Sequence, residues 1–189
     1  MTNITLSGNM IVKGSLVTLP GGAPETYWYA TLGGVENESG RYQLARDTGG
    51  NIYVIGNTDS DGAGGNDILI AKYNSSGTIQ WQRTLGGAGN DNGYSIAIDT
   101  SDNIYVIGNT DSDGAGSIDI LIAKYNSLGA IQWQRTLGGV NAETGFGVTI
   151  DASNDVYVTG DSSSDGAGSS DILIAKYNSS GVIQWQRTL

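Results

Sequence analysis

Short apolar runs alternate along the chain with clusters of Gly, Asn, Asp and Ser, and each run has its own pattern. Residues 94–99 (Tyr-Ser-Ile-Ala-Ile-Asp) alternate large and small side chains, which suits a strand with one packed face and one crowded face. Residues 103–108 (Asn-Ile-Tyr-Val-Ile-Gly) are β-branched and aromatic with apolar side chains on both faces, as in a strand covered on both sides. Residues 120–125 (Ile-Leu-Ile-Ala-Lys-Tyr) are likewise apolar on both faces until Lys124, whereas residues 131–137 set Ile, Trp, Arg and Leu against Gln, Gln and Thr. The pattern predicts four strands, A to D, with B and C sandwiched and D half-exposed.

This unit recurs. Trp81-Gln82-Arg83-Thr84-Leu85 returns at Trp133 and again at Trp185, a period of 52 residues. A fixed period of that length marks units that bury their apolar faces only against neighbouring copies. Tyr53, Tyr105 and Tyr157 align in strand B, and Lys72, Lys124 and Lys176 in strand C. Four short antiparallel strands, two of them covered on both sides, predict an all-β fold of β-propeller blades. Leucine-rich and ankyrin units are shorter, and tetratricopeptide units are helical. Trp28 stands where Trp81 does, so residues 26–32 read as an additional outer strand after an N-terminal β segment at 1–25. The blades fall at about 33–85, 86–137 and 138–189. Copy 1 carries one extra residue near Arg41, because Gly33 precedes Gly86 by 53 residues while Asp47 precedes Asp99 by 52.

The phrase Trp81-Gln82-Arg83-Thr84-Leu85-Gly86-Gly87 and the strand Asn103-Ile104-Tyr105-Val106-Ile107-Gly108 resemble the bacterial seven-bladed β-propeller repeat family. The resemblance covers about residues 26–189 and is specific for fold. It implies an extracellular or surface-associated bacterial protein and fixes no reaction or ligand. Three blades stand here in place of the family's seven.

Closed propellers use about four to eight blades. One expectation is a homo-oligomeric ring, such as two chains giving six blades. The alternative is a monomer in which strands at 3–6, 10–19 and 27–32 make a degenerate fourth blade. Copy 1 has Arg46 where the others have Ile98 and Ile150, and Gln43 where they have Ser95 and Gly147. That change reads either as a polar cap on the array or as an arginine snorkelling past an edge.

Composition narrows the function. Gly supplies 30 of 189 residues with only two Pro, in keeping with many tight turns and few long helices. A net charge of −10 repels phosphate backbones and anionic lipid, which argues against nucleic acid and membrane insertion. With no Cys and no His, disulfides, thiolate chemistry, the usual zinc sites and imidazole catalysis are all excluded. Residues 1–19 hold one Lys and an interrupted apolar pattern, unlike a secretory signal. No run approaches the ~18 apolar residues of a membrane span.

Antiparallel order puts the D–A and B–C loops on one face of the propeller and the tight A–B and C–D turns on the other. The long-loop face gathers Glu38, Asp91 and Glu143 as candidate ligand-binding residues. It also gathers Asn57, Asp59 and Asp61, their copies Asn109, Asp111 and Asp113, and Asp161 and Asp165. Oxygen donors at alternate positions before a Gly resemble the first half of a calcium loop, but Ile68 and Ile120 occupy the place of its bidentate acid. Calcium is therefore one expectation, and turn formation through side chain to backbone hydrogen bonds is the other. Trp81, Trp133 and Trp185 alternate with Ile on strand D, so burial beneath the next blade is expected rather than sugar stacking.

The expected function is a noncatalytic structural or adhesive recognition module. Residues 4–16 resemble the Gly-punctuated strands of phage tail and fibre proteins, and the segment 1–25 would dock the module to a larger assembly on a cell surface or virion. The alternative is a carbohydrate-binding lectin, with or without calcium. A glycan-active enzyme ranks last, because the acids recur with the repeat whereas a catalytic pair is asymmetric.

Overall fold

The computed structural model describes residues 4–6, 10–12 and 32–189, except the side chains of residues 4–6, 10–12, 41 and 42. All of the expected outer strand at 26–32 except Leu32, which is in no strand, and most of the N-terminal segment lie outside the described residues, although β1 (Ile4–Leu6) and β2 (Met10–Val12) pair antiparallel. The remaining strands form three four-stranded antiparallel sheets, each in sequential order. Blade 1 contains β3 (Glu38–Arg46), β4 (Ile52–Thr58), β5 (Asp67–Tyr73) and β6 (Ile79–Leu85). Blade 2 contains β7 (Asp91–Ile98), β8 (Ile104–Thr110), β9 (Asp119–Tyr125) and β10 (Ile131–Leu137). Blade 3 contains β11 (Glu143–Ile150), β12 (Val156–Ser162), β13 (Asp171–Tyr177) and β14 (Ile183–Thr188). Three four-stranded antiparallel sheets of this kind have the architecture of propeller blades. Among the described residues no helix is long and apolar enough to cross a membrane.

Two cores explain why strands B and C lack alternation. Ile104, Val106, Leu121, Ala123 and Tyr125 of blade 2 pack on Tyr53, Ile55, Ile68 and Ile70 of blade 1. The intervening residues of the same strands, Tyr105, Ile107, Ile120 and Ile122, pack on Val156, Val158, Leu173 and Ala175 of blade 3. Successive side chains of a strand point to opposite faces, so a strand between two cores is apolar at every position.

Strand A departs from the simple alternation expected of it. It begins at Asp91 and Glu143, and its register slips between Gly93 and Ser95 and between Gly145 and Gly147. The bulged residues Tyr94 and Phe146 meet edge to face across the blades at 5.9 Å. In blade 1 the slip spans Ser39 to Gln43, so the extra residue of copy 1 lies in this bulge. A bulge absorbs inserted residues by bending one strand while the ladder resumes on either side.

The A–B turns share one construction. Asp47, Asp99 and Asp151 accept the backbone N–H four residues on, and the left-handed position falls to Gly50 (φ 83°), Asp102 (φ 60°) and Asn154 (φ 62°). Tyr53, Tyr105 and Tyr157 donate their hydroxyls to the same three aspartates at 3.0, 3.1 and 3.1 Å. Lys72, Lys124 and Lys176 lie over those tyrosine rings at 5.0, 5.0 and 5.2 Å. Burial opposes ionisation of Asp47 and Asp99, but hydrogen bonds from Asn51 and Tyr53, and from Asn103 and Tyr105, hold both carboxyls below their ordinary value.

Candidate functional site

The long-loop face is built by side chains that close loops on themselves. Strand B runs further than its apolar run indicates, because Asn57 and Thr58, Asn109 and Thr110, and Asp161 and Ser162 are ladder residues. Thr58 Oγ1 accepts the N–H groups of Ser60 (3.0 Å) and Asp61 (3.3 Å), and Thr110 does the same for Ser112 and Asp113. These are side-chain-capped turns. Asn57 is spent on the neighbouring blade: its Oδ1 accepts Gly93 N–H and its Nδ2 donates to Asn92 Oδ1, both at 2.9 Å.

The three acids expected to bind ligand accept hydrogen bonds around these loops. Asp91 Oδ2 accepts Gly87 N–H and Ser112 Oγ–H, both at 2.8 Å. Glu143 accepts Gly139 N–H at 2.7 Å, Ser162 Oγ–H at 3.0 Å and Ser164 N–H at 3.1 Å. Glu38, half-buried, accepts Thr58 Oγ1–H at 3.2 Å. Asp91 and Glu143 are buried at the blade junctions, so neither faces solvent.

Asp59, Asp61, Asp111, Asp113, Asp161 and Asp165 are exposed. Asp111 is tied to Asn90 and Asp165 accepts Gln186 Nε2–H at 3.2 Å. Asn109 Oδ1 is buried with no partner among the described residues. Among the described residues, no three His, Cys, Asp or Glu side chains converge as metal ligands do. The nearest approach is a pair of acids at each junction. A Cβ on Gly86 would meet Asp91 Oδ2 and collide with Asp67 Oδ1, and one on Gly138 would collide with both Asp119 Oδ1 and Glu143 Oε2. Burial, assisted by the charge of Asp91, raises the Asp67 carboxyl above its ordinary value against the pull of two loop N–H groups. The pairing across the junction was not legible in the sequence, because Asp67 and Asp91 belong to different copies.

The expected burial of the tryptophans is partial. Trp81 and Trp133 are half-buried, edge-on to Tyr53 and Tyr105 at 5.8 and 6.1 Å. Each donates its indole N–H to the C–D turn of the next blade, to Ser127 O at 3.3 Å and Ser179 O at 3.1 Å. Beside the long loops of blade 1 a polar cleft is lined by Asp61, Asp67, Gln82, Arg83 and Thr84. Its Gln-Arg pair comes from the recurring strand D phrase, which marks it in the sequence only as a repeat.

Three four-stranded sheets stacked face to face, with strand A of each on strands A, B and C of the one before, agree with the family models that match the chain. A model described as Beta-propeller repeat matches residues 80–114. Another, described as a domain of unknown function (DUF5122) beta-propeller, matches residues 50–79 and 152–183. The chain is a β-propeller repeat protein. This repeat protein is 28% identical over 132 residues to Regulatory protein FlaEY of Caulobacter vibrioides, covering 61% of the chain and 14% of that protein. It is 29% identical over 157 residues to an uncharacterized WD repeat-containing protein, L264, of Acanthamoeba polyphaga mimivirus, covering 63% of the chain and 11% of that protein. The chain thus spans a small part of either relative's length.

Proposed function

We propose that the chain is a noncatalytic structural and recognition module whose blades complete a larger propeller by self-association. The observation that carries this reading is Ile172, 54% exposed on blade 3 where its copies Ile68 and Ile120 are 0% exposed. An apolar face of that kind, rimmed by polar loops, normally marks an assembly surface. The buried acids of the long-loop face, Asp91 and Glu143, are spent on loop closure, which favours a rigid contact surface over a reaction centre. Such a module suits an extracellular, surface or virion-associated assembly, a phage fibre among them, with residues 1–25 as the attachment segment. Light scattering on the purified chain tests it: a mass above one chain at micromolar concentration is expected, and a single-chain mass of 19.6 kDa at every concentration overturns it.

The polar cleft at Asp61, Gln82 and Arg83 favours a second reading, glycan binding by a lectin. Glycan-array binding with and without a chelator tests it. Binding that survives chelation supports a calcium-free lectin, loss on chelation a calcium-assisted one, and no binding removes the reading. Glycan turnover in the same assay would favour an enzyme.

A further inference from the structure

The two junctions inside the chain use one set of contacts. Lys72 and Lys124 donate to Ser127 O and Ser179 O, each at 3.3 Å. Arg83 and Arg135 donate through Nε to Gly129 O at 2.9 Å and Gly181 O at 2.7 Å. Gly129 and Gly181, both left-handed, lie against the Trp81 and Trp133 rings, where a Cβ would stand 2.9 and 2.7 Å from the indole. On strand A, Gly93 fits against Ile68 and Ile55, and Gly145 against Ile120 and Ile107. Each junction therefore needs Lys, Trp, Arg and Ile on one blade, and a Gly on strand A plus a C–D turn on the next.

Both halves of a third such junction are present. Blade 3 carries Lys176, Trp185, Arg187 and the exposed Ile172, in the same register. Lys176 turns instead to Asp155 at 2.7 Å. On blade 1, Gly40 occupies the position of Gly93 and Gly145, yet a Cβ there would meet nothing within 4 Å. Leu44 is 66% exposed where its copy Ile96 is 2% exposed. It borders a groove of about 380 Å³ that is also lined by Gly40, Ile52, Val54, Leu69 and Tyr73. The C–D turn of blade 1, Asn74-Ser75-Ser76-Gly77, has the same four residues as Asn178-Ser179-Ser180-Gly181, which blade 2 already grips.

We propose that the open face of blade 3 docks on the open face of blade 1 of a second copy of this chain, reproducing the internal junction. This rests on the assembly reading and names its surface. The contact is heterologous, so it propagates from copy to copy and closes when the accumulated rotation completes a ring.

Two variants test it by light scattering. Ile172→Glu puts a charge on the blade 3 face, and Gly40→Trp fills the blade 1 face where the single chain has room. Each variant alone is expected at the mass of one chain, with the circular dichroism of the parent. An equimolar mixture is expected to form a dimer and nothing larger, because each partner keeps one intact face. If the parent assembles but either variant assembles equally well, or the folded variants fail to pair on mixing, the assignment of these faces is overturned while the assembly reading stands. A parent that stays at one chain overturns both.

Discussion

Strands β9 and β13 carry the same seven residues, Asp-Ile-Leu-Ile-Ala-Lys-Tyr, in two environments. In β9 every residue except Lys124 is buried, whereas in β13 Ile172 is exposed and Ile174 is half-buried. The residues that stay buried in β13, Leu173, Ala175 and Tyr177, face blade 2. Identical local chemistry thus yields different burial according to whether a blade follows. The stability of such an array is a sum of terms for each unit and terms for each interface between neighbours, so equivalent substitutions should differ by the worth of one interface.

The largest contrast is expected from Ile120→Ala against Ile172→Ala. Removing the fully buried Ile120 should cost about 2–5 kcal/mol, while Ile172→Ala should stay within about 0.5 kcal/mol at concentrations where the chain is single. Urea titration of both variants checks this, and equal costs would mean that Ile172 is covered in solution.

A second contrast uses glycine. In Gly93→Ala the new Cβ would sit 2.7 Å from Ile68 Cγ2 and 2.8 Å from Ile55 Cγ1, and such overpacking costs about 1–3 kcal/mol. Gly40→Ala adds its methyl to open space and should leave the melting temperature of the single chain almost unchanged.

Smaller effects are expected at the strand D tryptophans. Trp133→Phe removes the bond to Ser179 O, a loss of about 0.5–1.5 kcal/mol beyond the packing change. Trp185→Phe changes packing without that loss, since among the described residues no C–D turn accepts its indole N–H as Ser179 O accepts that of Trp133. Thermal melts of the two variants should therefore separate in that order.

The smallest effect concerns pH. Asp99 has a folded value below its unfolded one, so its stabilisation is present above the unfolded pKa of about 3.9 and is lost as pH falls through the folded value. Asp99→Asn should flatten the acid limb of stability below about pH 4. Asp67 is raised, and its sign is opposite: ionisation costs the fold stability as pH rises through the folded value. Asp67→Asn should remove that alkaline-side loss, provided the amide oxygen keeps the loop bonds. Melting curves across pH 2–7 would show the two variants changing the slope in opposite senses.

Much of the fold was legible because its signals are local and repeated. The period of 52 residues gave the unit, and doubly apolar runs marked strands B and C as sandwiched. The candidate site was less legible. Asn57 and Asn109 looked like the first oxygens of a cation loop, yet both are buried strand residues, and Asn57 is spent on the next blade. Asp91 and Glu143 read as candidate ligand-binding residues of the long-loop face, yet backbone N–H groups and serine hydroxyls from two loops enclose them. Their donors lie up to 21 residues away, beyond the reach of any local pattern.

By itself the sequence determined the repeat, the four strands of each unit, and the chemistry excluded by the lack of Cys and His, because strand periodicity and ligand chemistry are written in neighbouring residues. Only the tertiary structure decided which copies of one strand are buried, which acids meet across a junction, and which faces remain open. Those are relations between blades, and identical repeats acquire different surroundings only when they pack.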